Sequence, residues 1–144
     1  MAKTLIIGSD HGGFVLKEAL KPVLEDMGFE LVDVGCDSQE SCDYPTFAKA
    51  LAAKVEDTGG PGILICGTGL GMSMAANRHQ GIRAAVCTNE YMARMARAHN
   101  DANVLCLGER VIGPGVAADI VRTFLDTAFE GDRHARRVQA IETD

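Results

Sequence analysis

The chain has 144 residues, 47% of them hydrophobic, and a formal net charge of −6. That length suits one domain over 1–144, with a core that needs neither disulfides nor a structural metal. The acidic balance argues against a nucleic-acid partner, since a phosphate backbone calls for a basic surface, and no apolar run is long enough to cross a bilayer.

The N-terminus, "MAKTLIIGSDHGG", lacks the layout of a signal peptide. Its apolar piece, "TLIIG" at 4–8, reads as a short strand. A helix is predicted over about 14–27, where Val15, Leu16, Ala19, Leu20, Val23, Leu24 and Met27 form one apolar stripe. Pro22 inside it predicts a kink or an early break. "ELVDVG" (30–35), "GILICG" (62–67), "RAAVC" (83–87) and "NVLCLG" (103–108) read as further strands, continuous apolar runs that suit burial on both faces. Helical patterns follow at about 45–57, 71–79, 90–99 and 114–128. After Gly131, "DRHARRVQAIETD" forms a separate terminal helix or arm from about residue 132. Five strands alternating with helices imply βαβ units, hence a parallel α/β sheet with helices on both sides.

Ligands of such sheets bind beyond the carboxyl ends of the strands. The first group there is "CGTGLG" at 66–71, where Gly67, Gly69 and Gly71 let the backbone bend and present N–H groups ahead of a helix. No Gly-Lys-Ser/Thr follows, so it is not a P-loop, and the dinucleotide fingerprint is incomplete. A ligand-free turn is the plain alternative. Cys66 has two readings: a buried small hydrophobe, or a thiolate stabilised by the N–H nest and able to act as a base beside an oxyanion hole. Asp10 and His11, in "SDHGG", either bind sugar hydroxyls or phosphate, or are an N-cap with a surface histidine. His99, in "ARAHNDAN", is either a satisfied helix C-terminus or a general acid–base group. Arg133 and Arg137 share a helix face that suits a phosphate, although a charged run is more often a solvated face. Met92 and Met95 read as core or subunit contact. Five cysteines with no C-x-x-C pair indicate free thiols in a reducing, cytoplasmic setting, and no histidine pair has metal-ligand spacing.

Together these pieces resemble the ribose-5-phosphate isomerase B family, whose relatives include galactose-6-phosphate and allose-6-phosphate isomerases. The matching stretches are "GSDHGGF.LK" (8–17), "DYP" (43–45), "GILICGTGLGMSMAANR..GIRA" (62–84), "ARAHNDANVLCLGERV.G" (96–113) and "FEGDRHARRV..I" (129–141). The resemblance implies a Rossmann-like three-layer α/β/α sandwich and an aldose–ketose isomerisation through a cis-enediolate, without cofactor or metal. It makes Cys66 the base, with N–H groups from Gly67 through Thr68, Gly69 and Leu70 to Gly71 as the anion hole. Thr68 would relay or position a proton, and His99 would open the furanose ring. Asp10 and Tyr44 would assist at the ring end, Asn100 would hold a hydroxyl, and His11, Arg110, Arg133 and Arg137 would surround the phosphate. It also implies a homodimer with shared sites, a tetramer being the alternative. Some members replace the cysteine by a carboxylate just after the loop; here Met72 stands at that place, so the chain goes with the cysteine type. The expected reaction interconverts ribose 5-phosphate and ribulose 5-phosphate. A hexose 6-phosphate is the alternative substrate, and a non-catalytic anion-binding module is the rival outside this chemistry.

Overall fold

The computed structural model describes residues 2–142. Five parallel strands, β1 (Lys3–Ser9), β2 (Phe29–Asp33), β3 (Gly62–Cys66), β4 (Ala84–Val86) and β5 (Val104–Gly108), form one sheet in the order β2-β1-β3-β5-β4. The helices are α1 (Phe14–Asp26), α2 (Tyr44–Thr58), α3 (Leu70–Ala76), α4 (Glu90–Ala98), α5 (Pro114–Asp126) and α6 (Arg133–Glu142). Among the described residues, no helix is long and apolar enough to cross a membrane.

Strand side chains alternate, so each central strand feeds two cores. Leu5, Ile7, Ile63, Ile65, Leu105 and Leu107 pack on one face with α1, α4 and α5. Ile6, Leu64, Cys66, Val104 and Cys106 pack on the other with α2 and α3. The result is the expected three-layer sandwich. Its chain reverses direction between β1 and β3, the switch point at which such sheets open a ligand crevice.

Pro22 does not end its helix early: α1 continues to Asp26. The carbonyl left without its usual donor is that of Glu18, and both Glu18 and Pro22 are exposed, so water can take the missing bond. The helix expected over 71–79 stops at Ala76, where Asn77 caps it and turns to the β4 edge; its side chain exchanges two hydrogen bonds with the backbone of Ala84, at 2.9 and 2.7 Å.

Candidate active site

Cys66 is the last residue of β3, 6% exposed, level with Gly108 of β5. The chain then turns through Gly67–Gly69 into α3. Gly69 adopts a φ of +83°, and a Cβ there would lie 3.1–3.3 Å from the backbone of Leu107. The turn aims the Gly69 N–H at the Cys66 sulfur, 3.1 Å away. Leu70 N–H donates to the Thr68 hydroxyl at 3.2 Å. The N–H groups of Gly67, Thr68 and Gly71 donate to nothing among the described residues. They are the backbone donors this loop leaves open, the kind of group that can hold an anion.

The loop is held by its neighbours. A Cβ on Gly108 would stand 2.6–2.7 Å from Thr68 backbone atoms, so β5 must end in glycine for the loop to lie on it. Glu109 and Arg110 donate their N–H groups to the carbonyls of Cys66 and Gly67, at 2.9 and 3.0 Å. The Arg110 guanidinium lies over Gly67, with Nη1 3.3 Å from where a Cβ would be. Tyr44, first in α2, rests its ring on Gly71, where a Cβ would come within 2.8 Å of it.

Asp10 and His11 complete this carboxyl edge of the sheet. Asp10 N–H reaches the Ile65 carbonyl at 3.3 Å, and its carboxylate caps the short turn His11–Gly13 by accepting from Gly12 N at 2.9 Å. Asp10 is therefore an N-cap and is also buried beside the glycine loop. His11 is half-buried rather than a surface histidine, and its Nδ1 accepts from Cys42 N at 3.2 Å. Among the thiols, burial alone pushes Cys87 up to about 11. Burial, with the Cys66 and Cys87 thiols adding to it, pushes Cys106 higher still. Those two are packing residues. Met72 is fully buried in the same core cluster as Cys66.

The remaining expected site residues lie elsewhere in the same chain. His99 is the C-cap of α4, which runs back against the strands, and β5 starts only at Val104, level with Gly62. The Gly62 N–H bonds the Asn103 carbonyl at 2.9 Å. Four strand residues then separate this amino edge from Cys66, a distance of roughly 13 Å at the usual rise of about 3.3 Å. Asn100 opens onto a cleft of about 570 Å³ at that edge, lined also by Asn77, Arg83 and Glu142. The α6 helix carrying Arg133 and Arg137 is fastened there too: Glu142 accepts from Arg83 Nη1 at 2.6 Å and Gly81 N at 3.0 Å. Arg133 and Arg137 are exposed, and neither they nor Arg110 form an ion pair among the described residues. One chain thus brings Cys66, Gly67–Gly71, Asp10, His11, Tyr44 and Arg110 together, and gathers His99, Asn100, Arg133 and Arg137 at the opposite edge.

Three residues not singled out from the sequence matter locally. Lys17 is 1% exposed, and its Nζ donates to Asp33 Oδ2 and the Cys36 carbonyl, both at 2.6 Å. It anchors the chain after β2. The only sequence sign was a lysine in a stripe of apolar neighbours. Glu130 and His134 meet His99: the two imidazoles stack with centroids 4.2 Å apart, and Glu130 Oε1 lies 3.8 Å from His99 Nε2 and 3.6 Å from His134 Nε2. The Ala98 carbonyl at the end of α4 is taken by Glu130 N–H at 3.0 Å, so His99 is free of that duty.

The chain is similar to known proteins over nearly its whole length. A family model described as Ribose/Galactose Isomerase matches residues 5–141. Ribose-5-phosphate isomerase B of Escherichia coli is 47% identical over 142 residues, covering 96% of this chain and 94% of its own. A solved ribose-5-phosphate isomerase B from Clostridium thermocellum superposes with a TM-score of 0.95 at 54% identity, covering 96% of this chain and 95% of its own. The enzyme of Mycoplasma genitalium, solved with bound ribulose 5-phosphate, gives 0.94 at 42% identity, covering 99% and 95%. With residues 5–141 matched in register and the fold in common, this chain belongs to the ribose/galactose isomerase family.

Proposed function

We infer that this chain interconverts D-ribose 5-phosphate and D-ribulose 5-phosphate, with Cys66 as the base. The observation that carries the reading is the Cys66 sulfur held by Gly69 N–H at 3.1 Å beside three N–H groups with no partner among the described residues. On the open-chain aldose, the Cys66 thiolate takes the C2 proton and becomes a thiol. The charge moves onto the carbonyl oxygen, where the N–H groups of Gly67, Thr68 and Gly71 stabilise it. Thr68 Oγ1 moves a proton between the two enediolate oxygens, and Cys66 returns its proton to C1. The charge is made and removed within one loop, so no second base has to move.

The ring-opening step needs His99, and His99 cannot reach Cys66 of its own chain. We assign it to a second copy: the site is completed by His99 of the partner subunit, with Asp10 assisting. Asn100 of the partner subunit would hold a hydroxyl. The phosphate would lie between His11 and Arg110 of one chain and the partner's Arg133 and the partner's Arg137. Leu70 and Met74 of α3 and Tyr91 and Met92 of α4 are large apolar side chains left exposed toward the β4 edge, which supports a homodimer contact there. Five free cysteines support a reducing, cytoplasmic setting.

The test is an assay of ketopentose formation from ribose 5-phosphate, run beside allose 6-phosphate and galactose 6-phosphate. We expect the highest kcat/KM on the pentose. Cys66→Ala should abolish turnover and leave substrate binding and the fold intact; substantial residual turnover would overturn the assignment of the base.

A further inference from the structure

We propose that His99, Glu130 and His134 form a binding site for one divalent transition-metal ion of zinc-like ligand preference, and that filling it silences the isomerase. The first half stands on geometry alone. The second rests on the ring-opening role assigned to His99 above.

The ligand atoms come from three segments: the end of α4, the loop before α6, and the first turn of α6. One atom from each lies within 4.8 Å of the others. His134 is the fixed member. It is 6% exposed, and its Nε2 is buried without a hydrogen-bond partner among the described residues, because Glu130 stops at 3.6 Å. A buried nitrogen left in that condition carries a desolvation cost that a ligand would relieve.

Two imidazoles and a carboxylate are the donor set of open zinc sites. Zinc–ligand bonds of about 2.0–2.1 Å in tetrahedral array put donor atoms about 3.3 Å apart. Glu130 Oε1 already lies 3.6 and 3.8 Å from the two nitrogens. The rings, however, are stacked at 13° between planes, so their lone pairs run side by side. His99 must rotate to converge on the ion. At 38% side-chain exposure it has room to do so, and Glu130 at 52% is freer still. Two mobile ligands thus close on one anchored ligand, and a fourth position stays open to water. Arg133 and Arg137 lie close enough to act on His134 and oppose a dication, which weakens the site. With its Nε2 committed to the metal, His99 can no longer exchange the proton of the ring-opening step.

The test titrates zinc chloride into the full-length, chelator-stripped protein by calorimetry, and cobalt chloride by visible absorption. We expect one ion per chain, no thiolate-to-cobalt charge-transfer band, and binding unchanged in Cys66→Ser. His134→Phe, which keeps the ring volume and the stack, and Glu130→Gln, on an exposed loop, should each weaken zinc by at least about tenfold. Zinc should inhibit turnover of ribose 5-phosphate reversibly, a chelator should restore it, and His134→Phe should resist the inhibition. Absence of stoichiometric binding, or binding lost in Cys66→Ser and kept in His134→Phe, overturns the site. Stoichiometric binding that leaves turnover untouched overturns the silencing. If the stripped protein has no isomerase activity at all, the functional reading fails while the calorimetry still decides the site.

Discussion

At the carboxyl edge of the sheet, consecutive residues from Cys66 to Gly71 supply a thiol and a set of backbone donors, held by glycines that allow no side chain between them and β5 or Tyr44. At the amino edge, His99, Glu130, His134 and the arginines come from separate segments and act through side chains, most of them partly or fully exposed. The first edge is rigid because its donors belong to the backbone and its neighbours leave no slack. The second is adjustable, since imidazole and guanidinium groups swing about their own bonds. A reaction that creates negative charge at one fixed oxygen suits the rigid edge. Opening a ring and gripping a mobile phosphate suit the adjustable one.

The division of labour is testable by breaking one edge at a time. The largest effect expected is in mixed dimers. Cys66→Ala and His99→Asn should each be nearly inactive on cyclic ribose 5-phosphate. Coexpressed, they should recover about a quarter of wild-type activity, because random mixing restores one intact site in half of the dimers. No recovery in confirmed mixed dimers would mean that each chain builds its own site. Next is Gly108→Ala, whose methyl would stand 2.6–2.7 Å from the Thr68 backbone and tilt the loop. We expect a fall in kcat on the order of 10²-fold, as for loss of one oxyanion donor, with KM little changed. Steady-state kinetics on a folded variant checks it, and a change confined to KM would break the argument.

Lys17→Met sharpens the comparison from the stability side. It leaves Asp33 with Lys21 as its remaining cation, at 2.7 Å, and strips the Cys36 carbonyl of its donor. The cost should be about 3 kcal/mol, the lower end of the range for breaking a buried pair, because Asp33 is partly exposed. Denaturant unfolding measures it. The smallest effect is on acid stability. Burial works against the charged Asp33 carboxylate, but hydrogen bonds from Lys17, Lys21 and Gly35 N–H outweigh it and hold the group below its ordinary 3.8. Its contribution is therefore complete above 3.8 and is lost as pH falls through the lower folded-state value. Asp33→Asn should flatten the loss of stability in that acidic window and leave the slope near neutrality unchanged.

Much of this was legible in the chain. Continuous apolar runs placed all five strands within about two residues, since a strand buried on both faces needs no alternation. The glycine spacing after Cys66 announced a bent loop with exposed donors, because consecutive residues can only form a local structure. The early break that Pro22 allows does not occur: a helix tolerates proline where the orphaned carbonyl meets water, and exposure is not written in the local pattern. The burial of Lys17 is not legible in the sequence, because a charge among apolar neighbours signals burial only once its partners, Asp33 and Cys36, are known. The pairing of His99 with His134 was invisible, since neither their spacing nor their surroundings suggest contact.

By itself, the amino-acid sequence determined the elements, their parallel arrangement and the loop that holds Cys66, all of which depend on side-chain period and local backbone chemistry. Only the tertiary structure decided the strand order, the separation of Cys66 from His99 by the length of β3, and the meeting of His99, Glu130 and His134. Those depend on how helices of fixed length return the chain to one edge of the sheet or the other, a global constraint that no short stretch of residues contains.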